Sequence, residues 1–212
     1  MFVKKNYFIL FLKIYRRLIS LLSSFISTLY LKFILTASAC RYGKNLLVDG
    51  KVVVQIEKNG AIDIGNNVTM LSRFSSNLSG MTGPNVLVCI DDGHISIGDN
   101  SGFSSTVFSS KSSIKIGKNV KIGSNVRIYD HDFHSLDYLE RRSLSDVKNA
   151  ASKPIVIGDD VFIGANSIIL KGVKIGDRSI VGAGSVVANK EIPPDSLVMG
   201  NPAKTRRRVG EA

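Results

Sequence analysis

Aliphatic residues recur at every sixth position over long stretches of this 212-residue chain. Positions 116, 122 and 128 hold isoleucine, and positions 157, 163, 169, 175, 181 and 187 hold four isoleucines and then two valines. Glycine directly follows many of these residues. A period of six is neither the 3.6 of an α-helix nor the 2 of a β-strand. It indicates a short strand and a turn that repeat, which is the pattern of a solenoid.

The repeat also predicts which side chains face the core. We expect the aliphatic residue of each hexad to face inward, together with the residue four positions later, such as Val120 or Ser167. The glycine suits a turn in which a side chain would clash. The polar pairs at 118–119 and 159–160 would then be solvent-facing corners. A single hexad cannot bury its apolar face, so stacked coils must bury it continuously.

Two interruptions break this rhythm, one over residues 68–95 and one over residues 129–154. A long loop inside a tight repeat is commonly functional or disordered. The second interruption carries His131 and His134, two of only three histidines in the chain. An imidazole can act as a general base that takes a proton from a hydroxyl group, and a neighbouring carboxylate, such as that of Asp130, can hold its tautomer. A merely polar loop and a metal site with Asp130 remain alternatives from the residues alone.

The N-terminal segment 1–40 is the most apolar part of the chain. Cations at positions 13, 16, 17 and 32 interrupt it, so the longest uncharged stretch runs only from Leu18 to Leu31. This stretch is shorter than the roughly 18–20 residues that a membrane span needs. Apolar residues at three- and four-residue steps predict one or two amphipathic helices with cationic flanks. Two placements stay open: on an anionic membrane surface, or packed on the main domain or a sister subunit.

Charge and cysteine content restrict the partners. The chain has 28 Lys and Arg against 17 Asp and Glu, a net charge of +11, which favours anionic partners. No basic stretch lies within a recognisable nucleic-acid motif, so we expect no nucleic-acid partner. Cys40 and Cys89 have neither metal-ligand nor disulfide-framework spacing, which predicts two reduced cysteines in a cytosolic protein.

Three features together resemble the hexapeptide-repeat acyltransferases: the hexads, the block IGDDVFIGANSIILKGVKIGDRSIVGAGSVV (157–187) and the closing GNPAK (200–204). The resemblance covers residues 60–208 and implies a mainly β fold, the left-handed parallel β-helix. The handedness comes from the resemblance, because parallel crossovers are normally right-handed. Members of the family are typically homotrimers that bind acetyl-CoA between neighbouring coils. The most similar branch O-acetylates sugars of capsules, O-antigens and small saccharides.

The resemblance implies a division of the chain and a catalytic base. We expect a helical segment (1–40), a connecting segment (41–60), a β-helix (61–192) with a catalytic loop (129–154), and a C-terminal tail (193–212). In the resembled enzymes an Asp-His or Gly-His step after a hexad carries the base, and the matching residues are Asp130 and His131. His134 is the second candidate, either orienting the acceptor or sharing a hydrogen bond with Asp137.

The same resemblance assigns six residues to acetyl-CoA: Ala165, Gly182, Ala183, Lys190, Lys204 and Arg207. The first three are small and would line the pantetheine arm, although tight corners also require small residues. The other three are cationic and would meet the adenosine phosphates. A solvated or membrane-attracted tail is the alternative for residues 204–208.

Three residues are candidates for contact with the acceptor. Phe162 stands where many relatives have tryptophan, so an apolar ring is kept but the indole N–H donor is lost. Arg141 and Arg142 lie in the catalytic loop and would meet a carboxylate or phosphate of the acceptor. A solvated charge cluster is the alternative for these two arginines.

The resulting hypothesis is an acetyl-CoA-dependent O-acetyltransferase that needs no metal. It would act on a hydroxyl of a bacterial surface polysaccharide, capsule or O-antigen, or on its sugar precursor. Transfer would be direct, in a ternary complex, because no serine or cysteine has the evident setting of a covalent nucleophile. An N-acyltransferase on an amino sugar and a non-catalytic β-helix scaffold are the alternatives. Because acetyl-CoA is cytosolic, we expect a cytoplasmic enzyme, with residues 1–35 holding it at the inner membrane face.

Overall fold

A long helix precedes a stack of short parallel strands. The computed structural model describes residues 2–188 and 191–208. Helix α1 spans Phe2–Ala37. Within the described residues seven coils follow, and their strands are, in chain order, β1 (Arg41–Tyr42), β2 (Leu47–Asp49), β3 (Val52–Ile56); β4 (Ala61–Ile64), β5 (Thr69–Leu71), β6 (Asn85–Cys89); β7 (His94–Ile97), β8 (Gly102–Ser104), β9 (Val107–Ser110); β10 (Ser113–Ile116), β11 (Lys121–Ile122), β12 (Arg127–Tyr129); β13 (Ile155–Ile157), β14 (Phe162–Ile163), β15 (Ile168–Leu170); β16 (Lys174–Ile175), β17 (Ile180–Val181), β18 (Val186–Val187); and β19 (Glu191–Ile192), β20 (Ser196–Gly200).

The strands form three sheets, one on each side of a three-sided solenoid. Sheet A contains the first strand of every coil, sheet B the second and sheet C the third. A last strand, β21 (Ala203–Arg208), folds back antiparallel on β20. Equivalent residues of successive coils lie side by side, so that Ile157 pairs with Ile116 on one side and with Ile175 on the other. The fold is the predicted left-handed parallel β-helix.

The six-residue period has the predicted physical basis. The six aliphatic residues of the last complete block are at most 2% exposed: Ile157, Ile163, Ile169, Ile175, Val181 and Val187. For the first five of these, the residue four positions later is also buried, and where it is serine its hydroxyl has a backbone acceptor. The hydroxyl of Ser167, for example, donates to the carbonyl oxygen of Gly182 at 3.0 Å. Such a bond removes the cost of burying a polar group.

The polar pairs form corners, as predicted. The second residue of the pair at 118–119 is Asn119, which has a φ of 57°, and Asn67 and Asn100 have φ values of 56° and 60° at the same corner. Asparagine adopts this left-handed conformation more readily than most residues. The side-chain amide of Asn67 donates to Asn100 at 2.8 Å, and that of Asn100 donates to Asn119 at 3.2 Å. The corner is therefore held by a ladder of amides along the solenoid.

The β-helix begins earlier than the predicted residue 61. Strands β1–β3 already belong to sheets A, B and C. Tyr42 pairs with Ile64 in sheet A, so the first coil has Tyr-Gly where later coils have Ile-Gly. The aliphatic period consequently does not reveal this coil. At the other end, residues 196–208 form the β20–β21 hairpin in the segment that we expected to be a tail.

Helix α1 is continuous and packs along the first coils. Leu31 and Leu35 are fully buried. The hydroxyl of Thr28 accepts a hydrogen bond from the amide of Val48 at 3.0 Å, and Arg73 donates to the hydroxyl of Ser20 at 2.7 Å. Residues Phe8–Ala37 are long and apolar enough to cross a membrane, a criterion that N-terminal signal sequences also meet.

Candidate active site

The loop that interrupts the repeat connects β12 of sheet C to β13 of sheet A. Its base is closed by a bridge between His131 and Ser152. The amide of Asp132 donates to the carbonyl oxygen of Ala151 at 2.8 Å. The amide of Lys153 donates to the carbonyl oxygen of Asp130 at 2.7 Å. The two ends of the loop thus pair as a short antiparallel ladder. This ladder fixes the backbone on both sides of His131.

The imidazole of His131 has both nitrogens engaged. Its Nδ1 lies 2.8 Å from the carbonyl oxygen of Asp132, and its Nε2 lies 2.9 Å from the hydroxyl oxygen of Ser109. A carbonyl oxygen only accepts, so Nδ1 carries the proton and Nε2 of the neutral ring is an acceptor. The Ser109 hydroxyl therefore donates to Nε2. The base-competent nitrogen faces a hydroxyl group at hydrogen-bond distance.

His131 is well covered in the single chain, with an exposed fraction of 5%. The ring of Phe133 lies 4.7 Å from the imidazole and 5.1 Å from the ring of Tyr129, between centroids. Asp132 forms an ion pair with Lys171. Its other carboxylate oxygen, Oδ2, is buried and has no hydrogen-bond partner among the described residues. The start of the loop is therefore ordered around the histidine by aromatic packing and by one ion pair.

Asp130 does not contact the imidazole, contrary to the expectation that its carboxylate orients the base. The side chain is fully buried. It accepts hydrogen bonds from the hydroxyl of Ser110 at 2.7 Å and from the amides of Lys111 at 2.7 Å and Ser112 at 3.0 Å. These donors belong to the turn of the preceding coil. Asp130 thus fastens the loop to the coil below, and a backbone carbonyl takes its predicted role in setting the tautomer.

His134 lies apart from His131 and is largely exposed. Its Nδ1 is 2.6 Å from Asp146, not from the predicted Asp137. Asp146 also accepts from the amide of Ser135 at 2.7 Å. This amide and His134 lower the pKa of the Asp146 carboxyl below its ordinary value. Asp137 instead accepts from the amide of Leu139 in its own turn. The chain returns on itself through α2 (Asp146–Asn149), which the local sequence does not reveal.

The two loop arginines make contacts within the loop. Arg141 donates from Nη1 to the carbonyl oxygens of Ser135 and Leu136, at 2.7 and 2.8 Å. Arg142 lies 5.4 Å from the ring centroid of Tyr138. Both side chains are exposed. Arg141 stabilises the loop conformation, and the assignment of both arginines to an acceptor remains a prediction.

The residues assigned to acetyl-CoA fall into two groups. Ala165, Gly182 and Ala183 lie at the corner between sheets B and C, directly after β14 and β17. Ala165 is half-buried and Ala183 is exposed, so small side chains line this corner on its outer side. Lys204 is exposed in β21. The backbone of Arg207 pairs with Leu197, and Lys190 lies outside the described residues.

Phe162 lies on the outer face of sheet B, with an exposed fraction of 48%. It borders a groove of about 320 Å³ that is also lined by Thr69, Leu71 and Lys121. Within one chain, His131 follows sheet C, so the two residues lie on different sides of the solenoid. The single chain does not bring the predicted base and the predicted acceptor contact together.

The cysteines and the remaining histidine have structural partners. Burial raises the pKa of Cys89 to about 12, so this residue is a thiol and not a nucleophilic thiolate at neutral pH. Both cysteines are free and buried. His94 bonds Asp63 on sheet A at 2.9 Å. In the described part of the chain, no group of three or more His, Cys, Asp or Glu residues has a metal-binding arrangement.

One serine that sequence reasoning missed does have the setting of an activated nucleophile, since Ser109 is hydrogen-bonded to a histidine that a third group orients. Ser109 belongs to the coil before His131. It is brought beside the histidine because β9 and β12 are neighbours in sheet C, where Ser109 pairs with Tyr129. Without this strand register, no feature of the sequence identifies Ser109 as a neighbour of His131. The expectation that no serine has such a setting is therefore wrong.

Comparisons with known proteins agree with this architecture. A family model described as the hexapeptide repeat of succinyl-transferase matches residues 154–188. A 2,3,4,5-tetrahydropyridine-2,6-dicarboxylate N-acetyltransferase of Halalkalibacterium halodurans is 51% identical over 65 residues, which are 31% of this chain and 27% of that protein. The chain thus spans about a quarter of the length of the curated relatives that it matches.

Two solved structures extend the likeness. A hexapeptide-repeat-containing acetyltransferase from Vibrio cholerae is 44% identical, with 55% of this chain and 64% of that chain covered and a TM-score of 0.50. A maltose O-acetyltransferase from Clostridium difficile is 27% identical, with 79% and 71% covered and a TM-score of 0.50. The chain therefore carries the hexapeptide repeat over residues 154–188 and is similar in fold to these acetyltransferases.

Proposed function

We propose that the protein transfers an acetyl group from acetyl-CoA to a hydroxyl of a bacterial surface glycan, in a capsule or an O-antigen, or of its sugar precursor. The observation that carries this proposal is the state of His131. Its proton is held on Nδ1 by a backbone carbonyl, and its Nε2 accepts from a hydroxyl at 2.9 Å. A sugar hydroxyl in the position of the Ser109 hydroxyl meets the distance that general-base catalysis requires.

The reaction then needs a general base and hydrogen-bond donors to the oxyanion. His131 Nε2 takes the acceptor proton while the acceptor oxygen attacks the thioester carbon. The tetrahedral oxyanion is stabilised by N–H donors at the site. Collapse of the tetrahedral intermediate expels the thiolate of coenzyme A, which accepts the proton from the imidazolium. Asp130 fixes the backbone before the base and takes no part in the proton transfer.

The small residues at the B–C corner support acetyl-CoA as the donor. Ala165 and Ala183 leave the corner narrow, so an extended pantetheine arm can approach backbone N–H and C=O groups there. Lys204, which is exposed in β21, supplies positive charge near the end of the solenoid for the phosphates. The solved maltose O-acetyltransferase, by its name, acts on a sugar hydroxyl, which agrees with a sugar acceptor here.

We also propose that the active enzyme is a homotrimer whose sites lie between copies. The outer face of sheet C carries a ladder of half-buried aliphatic side chains, Val86, Val107, Ile168 and Val186, with Arg127 between the second and third. A continuous row of apolar side chains is more stable when buried in a subunit interface than when exposed to water. A second copy on this face supplies the part of the acceptor site, including its own Phe162, that the single chain holds on another side.

Helix α1 supports a location on the inner face of the cytoplasmic membrane. Its small hydroxyl residues, such as Ser20 and Thr28, contact the β-helix. On the opposite side, Leu18, Leu22 and Phe25 are each at least 60% exposed. Residues 1–48 contain eight Lys or Arg and no Asp or Glu. An apolar face flanked by cations binds anionic lipid surfaces, and the contacts with the β-helix keep α1 parallel to the domain.

The decisive experiment measures release of coenzyme A from acetyl-CoA with hydroxyl and amino sugars. His131→Ala should lower turnover by roughly 10²–10⁴-fold, the usual effect of removing a general base. His134→Ala, a second histidine in the same loop, is the matched control and should change turnover by less than about tenfold. Turnover by His131→Ala within about tenfold of wild type would refute the base assignment.

Ser109→Ala separates direct transfer from a covalent acyl-serine. If Ser109 only occupies the hydroxyl position, the variant retains turnover and shows no acetylated enzyme by mass spectrometry. An acetylated Ser109 in the wild type, with loss of turnover in the variant, would contradict direct transfer.

Amine transfer is the second candidate, because the curated relative is an N-acetyltransferase by name. Faster coenzyme A release with an amino sugar than with its hydroxyl counterpart would favour it. The acceptor itself is found by mass spectrometry of surface polysaccharides from cells with and without the protein, searched for an acetyl-group difference.

A further inference from the structure

A cleft of about 520 Å³ lies between helix α1 and the loop that follows β5. It is lined by Arg16, Ile19, Ser20, Arg73, Ser75 and Leu78. The cleft belongs neither to the histidine loop nor to the B–C corner. It combines two guanidinium groups and two hydroxyl groups with apolar side chains at its rim.

Arg73 is held in place at the floor of this cleft. Its Nη2 donates to the Ser20 hydroxyl at 2.7 Å and to the Asp49 carboxylate at 2.9 Å. Its Nε is buried and has no acceptor among the described residues. A buried donor without a partner is costly. An oxyanion that reached this nitrogen would remove that cost.

The charge balance of the cleft is positive. Asp49 neutralises one guanidinium group, and Arg16 forms no ion pair within residues 2–188 and 191–208. No acidic residue precedes Asp49 in the sequence. Guanidinium groups and hydroxyl donors that converge on one space match the tetrahedral oxygens of a phosphate.

The rim indicates what carries the phosphate. Ile19 is 44% exposed and Leu78 is 80% exposed, and both line the cleft with apolar side chains. A ligand with an anionic head and an apolar body matches this arrangement better than a free sugar phosphate. We propose that the cleft binds the phosphate monoester of an anionic membrane lipid, which rests on the proposed location of α1 at the membrane surface.

The experiment uses the full chain and two variants, Arg16→Gln and Arg17→Gln. Each removes one positive charge from the same exposed turn of α1, but only Arg16 lines the cleft. Binding is measured by co-sedimentation with phosphatidylcholine vesicles containing either phosphatidic acid, a phosphate monoester, or oleate, which is anionic without an additional phosphate. Because each variant loses one positive charge, its affinity for either vesicle should fall about fivefold through weaker non-specific attraction.

On phosphatidic acid vesicles, the affinity of Arg16→Gln should fall roughly a further tenfold, because this variant lacks charge-assisted hydrogen bonds to the phosphate. On oleate vesicles the two variants should remain equal. Equal losses on both surfaces would overturn the proposal. A calorimetric titration with glycerol 3-phosphate in detergent micelles distinguishes the source of the phosphate. Binding there that depends on Arg16, without the difference on vesicles, assigns the cleft to a soluble phosphate and rejects the lipid.

Failure of this proposal is separable from failure of the proposed function. If the wild-type chain binds neither vesicle, the membrane location is wrong, and the glycerol 3-phosphate titration alone decides whether the cleft takes phosphate. Acetyl transfer to a soluble acceptor is measured on the same preparations. We expect Arg16→Gln to retain it, because Arg16 lies outside the catalytic machinery.

Discussion

Replacement of Asp130 by asparagine tests the correction of its role from catalysis to anchoring. The carboxylate accepts the amide of Lys111 on one oxygen and the amide of Ser112 on the other, and the second oxygen also accepts the Ser110 hydroxyl. Asparagine presents one oxygen and one NH₂ group in the same space. Whichever way the amide is turned, one backbone N–H faces another donor.

The expected cost follows from this count. One buried backbone donor loses its acceptor, which costs about 1–3 kcal/mol, so we expect Asp130→Asn to lower the free energy of unfolding by about 2 kcal/mol. For a domain of this size, that change lowers Tm by about 4–8 °C. Ser110→Ala is the milder control, because it removes one donor and leaves both amides paired, with an expected cost of about 1 kcal/mol.

Thermal unfolding and coenzyme A release are measured together on both variants. If Asp130 positions the loop and is not an acid or base, turnover falls because His131 is less well held, and the apparent pKa of the pH–rate profile stays where the wild type has it. Asp130→Asn with unchanged Tm and a displaced pH–rate profile would show that Asp130 takes part in proton transfer, and our reasoning from its contacts would be wrong.

Three further predictions address the solenoid, the loop and the assembly. Gly164→Ala should destabilise the protein by about 1–3 kcal/mol in urea unfolding, since the added Cβ would lie 2.4 Å from the Ala183 nitrogen, whereas Gly83→Ala meets nothing within 4 Å and should be neutral. The pKa of the Asp146 carboxyl is lowered, so its stabilisation of the loop is complete above the ordinary pKa of 3.8 and is lost as the pH falls through the lower folded value. The protection factor of the Ser135 amide against hydrogen exchange should therefore fall over that range in the wild type, and protection factors that are equal in wild type and Asp146→Asn at every pH would contradict this. Ile168→Lys should convert the proposed trimer to a monomer in sedimentation velocity, and an unchanged sedimentation coefficient would exclude sheet C as the interface.

The histidine site shows how far local sequence reasoning reached. The interruption at 129–154 was recognised because the hexad period stops there, and the Asp-His step within it singled out His131. The partners of that histidine were not predictable. Successive coils differ in length, so that Arg127 pairs with Val107 across a short stretch of chain but with Ile168 only across the whole histidine loop. Without the register, Ser109 cannot be identified as a neighbour of His131.

Helix α1 gives a second example. Its three- and four-residue apolar spacing predicted helix correctly, but a period does not state which side docks. The structure places Ser20 and Thr28 against the β-helix and leaves Leu18, Leu22 and Phe25 exposed. Over most of the described helix the usual expectation that the apolar stripe faces the domain core is reversed, whereas Leu31 and Leu35 near its end are buried as expected.

The sequence alone determined the solenoid, because every hexad repeats the same local requirements: a buried aliphatic residue, a small turn residue and a polar corner. Each requirement is met within a single hexad, so no long-range information is needed to recognise it. Tertiary structure decided which groups meet. Asp130 binds the coil below, His131 faces Ser109, and His134 pairs with Asp146, because stacking register and the return of the loop join residues that are 12 to 22 positions apart. Those distances depend on how whole coils pack, and no local pattern encodes them.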